Sequence, residues 1–240
     1  MQPRADEGSR IVVLSGIGLS EDYQHFKNAT FRGLPMEELS TLEAWKRDRD
    51  LVREYFDERR LQVAHLLPSP AHEALARLQH VLGPKRTMLV TQSIDGLLQK
   101  AAAHDVIETQ GSLFRLRCEG DAEHPRVGVF GVQNREARCS VCQALMRPDV
   151  VWSGEPILDS LRINVALRTC DFFMAVGTSG EAEPTATFVR VAHKAGARCI
   201  EVNPKPSHGL FHEVINERAE IALPQVFGQW LGDEVTTVDE

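Results

Sequence analysis

Several short runs in this chain have residue types and spacing suited to chemistry. Ser15-Gly16-Ile17-Gly18-Leu19-Ser20 puts two glycines one residue apart, directly after the apolar run Ile11-Val12-Val13-Leu14. Glycines at such a place let the backbone approach a pyrophosphate, and the N-terminus of a following helix favours the anion. The third glycine of a G-x-G-x-x-G pattern is missing, so a simple tight turn explains these residues equally well. Polar runs recur at Thr91-Gln92-Ser93-Ile94-Asp95-Gly96, Gln110-Gly111-Ser112, Gly177-Thr178-Ser179-Gly180 and Glu201-Val202-Asn203-Pro204. The five cysteines are an odd number, which suits packing or metal binding in a reduced setting better than a disulfide framework. The nine histidines are scattered and lack metal spacing such as H-E-x-x-H.

The elements that must position these runs follow from periodicity. Apolar runs at 10–15, 86–91, 172–176 and 199–202 read as strands buried on both faces. Segments 36–65, 71–82, 94–104 and 184–195 carry helical spacing, and Leu223-Pro224 leads into a short terminal helix. Strands alternating with helices imply a parallel sheet covered on both faces, with ligands at the carboxyl ends of the strands. The stretch from Arg117 to Arg147 has little periodicity and reads as a small inserted module. The acidic tail from Asp233 reads as frayed.

Composition excludes other classes. The 240 residues are 42% hydrophobic and 25% charged, the proportions of an ordinary globule of one large domain. A net charge of −7 makes general nucleic-acid binding unfavourable, because phosphate affinity needs excess Lys and Arg. No apolar run approaches the roughly 18 residues of a membrane helix. The polar start, MQPRADEGS, lacks a signal-peptide core, so the expectation is a cytoplasmic protein.

Taken in order, the motifs resemble the sirtuins, the NAD-dependent protein-lysine deacylase family, from about Ile11 to Leu231. Sirtuins carry GAGxS, a Phe-Arg pair, TQNID, HGS, a Cys-x-x-Cys module, RPxVVWFGE, GTS and a late N-P. This chain shows SGIGLS, Thr30-Phe31-Arg32, TQSIDGL, QGSLFRLRC, Cys139-Ser140-Val141-Cys142, RPDVVWSGE from Arg147, GTSG and NP. The resemblance implies an α/β fold: a Rossmann-like parallel sheet with helices on both faces (10–19, 70–111, 151–232). A helical insertion (20–69) and a Cys-containing, zinc-type insertion (112–150) would form a smaller module.

It also implies roles. Gly16, Ile17, Gly18 and Ser20 would face the NAD pyrophosphate, with Arg32 reaching it from a loop and Phe31 over the nicotinamide ribose. Gln92 and Ser93 would border the ribose, and Ile94 and Asp95 the nicotinamide, whose carboxamide N–H groups a carboxylate accepts. Gly177, Thr178 and Ser179 would meet phosphate or ribose oxygens. Asn203, Pro204, Lys205 and Ala219 would line the adenosine end. Val151, Trp152, Ser153, Gly154 and Glu155 on one side and Gly180 on the other would flank an acyl-lysine peptide added as a strand.

The departures bear on activity. Sirtuins have His, the general base for a ribose hydroxyl, where this chain has Gln110; an amide has no proton affinity near pH 7. Losing a positioned base costs about 10² to 10⁴ in rate. Ser93 replaces Asn, Ile17 replaces Ala, Ser153 replaces Phe, and the loop from Gly16 to Arg32 is longer. Only His25, in that loop, offers a substitute base. Cleaving the nicotinamide bond needs pocket electrostatics more than a base. Three outcomes therefore stand: an attenuated deacylase with Gln110, Ser93 and Asp95 at its centre, an ADP-ribosyltransferase or NAD hydrolase, or a non-catalytic sensor of NAD or ADP-ribose.

Sirtuins hold zinc with two Cys-x-x-Cys pairs. Cys139 and Cys142 make one pair; the other reads Cys118 and Asp121, with Asp121 or His124 as the fourth ligand. Cys170 and Cys199 read as packing residues. Sirtuins that remove acidic acyl groups share a Tyr-x-x-Arg that binds the acyl carboxylate. The matching positions here are Phe56 and Arg59, which keep the Arg and lose the phenol; a plain helix-surface Arg is the other reading.

Overall fold

The computed structural model describes residues 8–19, 30–205, 207 and 209–232. Its centre is a six-stranded parallel sheet: β1 (Ile11–Ser15), β4 (Thr87–Thr91), β5 (Ile107–Glu108), β9 (Phe172–Val176), β10 (Arg198–Val202) and β11 (Glu213–Ile215), in the order β11-β10-β9-β1-β4-β5. β1 pairs with β4 on one side, Ile11 opposite Thr87, and with β9 on the other, Ile11 opposite Phe172. Both faces of β1 are buried, as its unbroken apolar run requires.

Helices cover both faces. α4 (Pro70–Leu82) and α8 (Ala219–Leu231) bury Leu75, Leu78, Leu223 and Phe227 against Val13, Leu89 and Met174. On the other face, α6 (Ser160–Leu167) and α7 (Thr185–Lys194) bury Ile163, Leu167, Phe188 and Val189 against Leu14, Phe173 and Cys199.

The remaining elements build the smaller module. β2 (Thr30–Phe31) and β3 (Leu34–Pro35) form a two-stranded ribbon ahead of α1 (Met36–Leu39), α2 (Leu42–Arg47) and α3 (Arg49–Ala64). β6 (Gly111–Cys118) pairs antiparallel with β7 (Val127–Gly128) and β8 (Met146–Val150). Trp45, Val52, Tyr55 and Phe56 of the helices pack with Leu113, Val150 and Trp152, which joins the two insertions in one core.

Local chemistry explains where the elements depart from the periodicity. The helical stretch 36–65 divides in three because Thr41 and Asp48 act as N-caps, accepting from Ala44 N at 3.0 Å and Leu51 N at 3.0 Å. The helix expected over 94–104 is only α5 (Leu97–Lys100): Gly96 is left-handed at φ 70° and Ala102 at φ 65°. The terminal helix is longer than expected and runs through Pro224. The missing N–H at Pro224 is outweighed by an apolar face from Ala219 to Trp230 buried on the sheet. No helix among the described residues is long and apolar enough to cross a membrane.

Candidate active site

β1 is the first strand in the chain, yet it lies between β4 and β9. The connections therefore leave it in opposite directions, and a crevice opens at its carboxyl end. Two turns meet there. Gly16 N donates to Val176 O at 2.9 Å, and Gly18 N to Gly177 O at 2.9 Å. A Cβ at Gly18 would lie 2.7 Å from Gly177 O, and one at Gly177, where φ is +59°, 2.3 Å from Gly18 C. The glycines are thus required for the two turns to touch. Their N–H groups are already engaged, so neither glycine is free to donate to an anion, which would take its hydrogen bonds from neighbouring groups.

Hydrogen bonds knit the crevice further. Thr178 Oγ1 donates to Gln92 Oε1 at 2.9 Å, and Asn203 Nδ2 donates to Thr178 O at 3.3 Å. Asn203 Oδ1 accepts from Lys205 N at 3.1 Å, shaping the Asn203-Pro204-Lys205 turn. Ala219 starts α8, which packs on the short 3₁₀ turn Ile17–Leu19. Ser69, the N-cap of α4, donates to Leu19 O at 3.1 Å, and its N–H donates to His72 Nδ1 at 3.1 Å. Burial holds His72 down to about 4, which keeps it a neutral acceptor.

Beside the crevice lies a cavity of about 220 Å³ between sheet and module. Ile17, Gln92, Ser93, Ile94 and Gln110 line it on the sheet side, and Tyr55, Phe56 and Arg59 on the helix side. Gln110 is fixed by its backbone: Gln110 O accepts from Val151 N at 2.9 Å. The next residue, Gly111, has φ +82°, and a Cβ there would sit 1.9 Å from Asp149 O, so only glycine fits. Phe56 is where the sequence placed it, but the lost phenol is supplied from one residue earlier. Arg59 Nε donates to Tyr55 Oη at 3.4 Å, and Nη1 to Gln62 Oε1 at 3.4 Å. Burial raises the Tyr55 phenol, with Arg59 opposing, so the hydroxyl keeps its proton. A Tyr four residues before an Arg on a helix faces it as well as one three before does, and that spacing was the signal available.

Other expected residues sit elsewhere. Asp95 is buried and accepts from Leu97 N at 2.9 Å; it lines an adjoining hollow with Glu108, Ser112 and Arg115. Burial pushes its carboxyl up to about 6, with the Leu97 N–H opposing and Glu108 adding to the rise. Phe31 reaches the helix side, edge-on to Tyr55 at 5.7 Å. Arg32 does not reach the crevice: its guanidinium pairs with Glu54 at 2.7 Å and is mostly exposed. Trp152 and Glu155 turn inward. Trp152 packs against Trp45 with the rings tilted at 42° and 5.6 Å apart, and Glu155 accepts from Arg117 at 2.8 Å, Arg147 at 2.5 Å and Trp152 N at 2.9 Å. They shape the segment that carries Val151, Ser153 and Gly154 and do not themselves face the cleft. Ser153 N donates to Ser40 O at 3.1 Å. Ser179 and Gly180 continue from Thr178, where Ser179 Oγ accepts from Glu181 N at 3.3 Å. Ser20 and His25 lie outside the described residues.

A second cluster sits at the far end of β6. Cys118, His124, Cys139 and Cys142 bring their ligand atoms within 4.8 Å of one another. Cys118 Sγ lies 3.4 Å from Cys142 Sγ, and Cys139 Sγ 3.4 Å from His124 Nδ1. A tetrahedral zinc with bonds near 2.3 Å spaces its ligands about 3.8 Å apart, so the donor set fits that ion. Burial opposes ionisation of Cys118, but hydrogen bonds from His124 and nearby backbone N–H groups win and hold the thiol down at about 6. Of the two candidates for fourth ligand, His124 joins the thiols. The Asp121 carboxylate stands behind it, 3.6 Å from Nε2, where it would orient the imidazole. That replaces Asp121 as the expected ligand: its side chain reaches the ring and not the sulfurs.

The Sir2 family model matches residues 8–184. The chain belongs to the Sir2 family. Curated relatives include an NAD-dependent protein deacylase of Pasteurella multocida, 34% identical over 231 residues, covering 92% of this chain and 98% of the relative. An NAD-dependent protein deacylase of Escherichia coli K12 is 38% identical over 226 residues, covering 91% of this chain and 78% of the relative. Among solved structures, a Sir2 homologue–NAD complex superposes with a TM-score of 0.79 at 25% identity, covering 95% and 92% of the two chains. A mutant Sir2 homologue with 2′-O-acetyl ADP ribose gives 0.78 at 26% identity, covering 97% and 96%. The Sir2 fold thus spans the parallel sheet, its covering helices and the module that holds the Cys/His cluster.

Proposed function

We propose that this Sir2-family chain is an NAD-dependent protein-lysine deacylase that favours acidic acyl groups and turns over slowly because Gln110 replaces the base. The observation that supports it is the single cavity joining Gln92, Ser93, Ile94 and Gln110 to Tyr55, Phe56 and Arg59. NAD would lie along the crevice, and the acyl-lysine of a protein substrate would enter from the side of Val151 and Gly180. When bound, NAD supplies the ADP-ribosyl group, with nicotinamide as the leaving group.

The chain's own residues then have these parts. Gln92 and Ser93 bind ribose hydroxyls, and Ile94 packs on the nicotinamide. The carboxamide would extend toward the adjoining hollow, where Asp95, its position set by Leu97 N, would hold it. Thr178, Ser179 and Asn203 line the phosphate and adenosine path, followed by Pro204, Lys205 and Ala219. Ile17 and Phe31 exclude water from the ribose carbon. Arg59 and the Tyr55 hydroxyl receive the acyl carboxylate, and Phe56 packs on its methylenes. Gln110 orients a ribose hydroxyl by hydrogen bonding but does not remove its proton. Cys118, His124, Cys139 and Cys142 would hold a zinc that pins the end of β6 to the loop carrying Cys139 and Cys142, a structural role.

Gln110 also carries a second reading. Where nicotinamide leaves and no base follows, water or a protein nucleophile takes the ADP-ribosyl group, giving NAD hydrolysis or ADP-ribosylation. The test compares initial rates on acetyl-lysine and succinyl-lysine peptides of one sequence, with NAD saturating. The proposal expects faster succinyl removal. Equal rates would remove the acidic-acyl preference, and no removal of either acyl group with NAD still consumed would favour the second reading.

A further inference from the structure

Glu201 occupies a place in the sheet where its neighbours are apolar. Along β10 the side chains alternate, Ile200 and Val202 facing one core and Cys199 the other. Glu201 shares the face of Cys199, opposite Ala175 in β9, and is fully buried. Among the described residues it enters no ion pair. A buried carboxylate without a cation is held only by the hydrogen bonds it accepts. Among the described residues, all of them come from Ser207: the N–H at 3.0 and 3.3 Å and Oγ at 2.9 Å.

Ser207 passes the restraint on. Its Oγ accepts from Gly180 N at 3.2 Å while donating to Glu201. The approach is close enough that a Cβ on Gly180 would lie 2.5 Å from Ser207 Oγ and 2.5 Å from Phe211 Cε2. Gly180 ends the turn that begins at Gly177 and opens the segment 180–184. Ser207 closes the loop that begins at Asn203, whose amide grips Thr178 O at 3.3 Å. The two loops are therefore tied twice: by Asn203 to Thr178 at the dinucleotide end, and by Glu201 through Ser207 to Gly180 at the peptide end.

We infer that Glu201 is a positioning residue that couples dinucleotide binding to peptide binding through Ser207 and Gly180. This rests on the reading of the crevice given under the proposed function. A dinucleotide ordering the Asn203 loop orders Ser207, and Ser207 fixes the Gly180 backbone that would meet the peptide. A peptide held at Gly180 favours the same arrangement from the other side, as linkage requires.

Binding, not turnover, tests this, so Gln110 does not enter. ADP-ribose is titrated calorimetrically with and without saturating succinyl-lysine peptide. The wild-type chain is expected to show affinity enhanced by at least about fivefold, the lower end of common couplings. Ser207→Ala should bring that ratio below about twofold while melting remains cooperative; Ser207→Thr, which keeps the hydroxyl, should restore it. Glu201→Gln keeps one acceptor oxygen and should give an intermediate ratio. A merely structural role would weaken each ligand alone and leave the ratio unchanged, and that result, or no coupling in the wild-type chain, would overturn the inference. Binding of neither ligand by the wild-type chain would instead overturn the proposed function, and the coupling with it.

Discussion

Restoring a base at position 110 is the sharpest perturbation the structure offers. The backbone there is pinned, since Gln110 O accepts from Val151 N at 2.9 Å and Gly111 is locked against Asp149 O. The side chain opens on the cavity beside Ser93 and Ile94. Gln110→His therefore leaves the main chain in place and adds a ring nitrogen that accepts a proton near neutrality. A positioned base contributes about 10² to 10⁴ in rate, or about 3 to 5 kcal/mol of barrier. Turnover of a succinyl-lysine peptide, followed by chromatography of the freed peptide, should rise by that factor. The gain should appear as pH rises through about 6.5, the ordinary range of imidazole. An unchanged rate would refute the reasoning and move the defect to Ser93 or Ile17.

Further consequences are open to direct measurement. Arg59→Met removes a charged hydrogen bond of about 1.5 to 3 kcal/mol and should cut kcat/KM for succinyl peptides about 10- to 150-fold while sparing acetyl peptides; equal losses would remove Arg59 from acyl recognition. Tyr55→Phe should cost the succinyl substrate a few-fold, about 1 kcal/mol, in the same assay. Zinc analysis by mass spectrometry should find one ion per chain; His124→Ala should lose it, and Asp121→Asn should weaken it about 10- to 100-fold. Gly18→Ala forces a Cβ to within 2.7 Å of Gly177 O and should lower stability by about 1 to 3 kcal/mol, read by thermal melting. Asp95, raised from 3.8 to about 6 by burial, binds its proton more tightly folded than unfolded. Its contribution is therefore fully present below pH ~4 and lost as pH rises to ~6, by about 3 kcal/mol. The stability difference from Asp95→Asn should show that slope between those limits.

Much of the fold was legible because buried parallel strands are continuous apolar runs. Ile11–Ser15, Thr87–Thr91, Phe172–Val176 and Arg198–Val202 stand out on that ground alone. The edge strands Ile107–Glu108 and Glu213–Ile215 did not, since two or three residues carry no period. The module's strands were hidden too, because Arg115, Arg117, Arg147 and Asp149 lie within them and find partners only in the fold, Arg115 with Asp149 across the sheet and Arg117 and Arg147 with Glu155 beyond β8. In the site, the cavity gathers Gln92, Ser93, Ile94, Gln110, Phe56 and Arg59, all named from the motifs. Tyr55 was missed because the motif was matched at fixed spacing, whereas a helix lets the residue one position earlier face the same Arg. Which of Asp121 and His124 completes the zinc set was not legible because reach in a loop depends on its turn: Asp121 Oδ1 accepts from Glu123 N at 2.9 Å, and the imidazole takes the inner position. Arg32 and Glu155 were assigned to ligand contact from type and order, but each found an ion-pair partner.

The most direct test of the account is mass spectrometry of the products formed from NAD and a succinyl-lysine peptide by the unmodified chain. The account predicts nicotinamide, free peptide and O-succinyl-ADP-ribose in equal amounts. Nicotinamide with free ADP-ribose and an intact succinyl peptide would contradict it, as would the absence of any NAD-derived product.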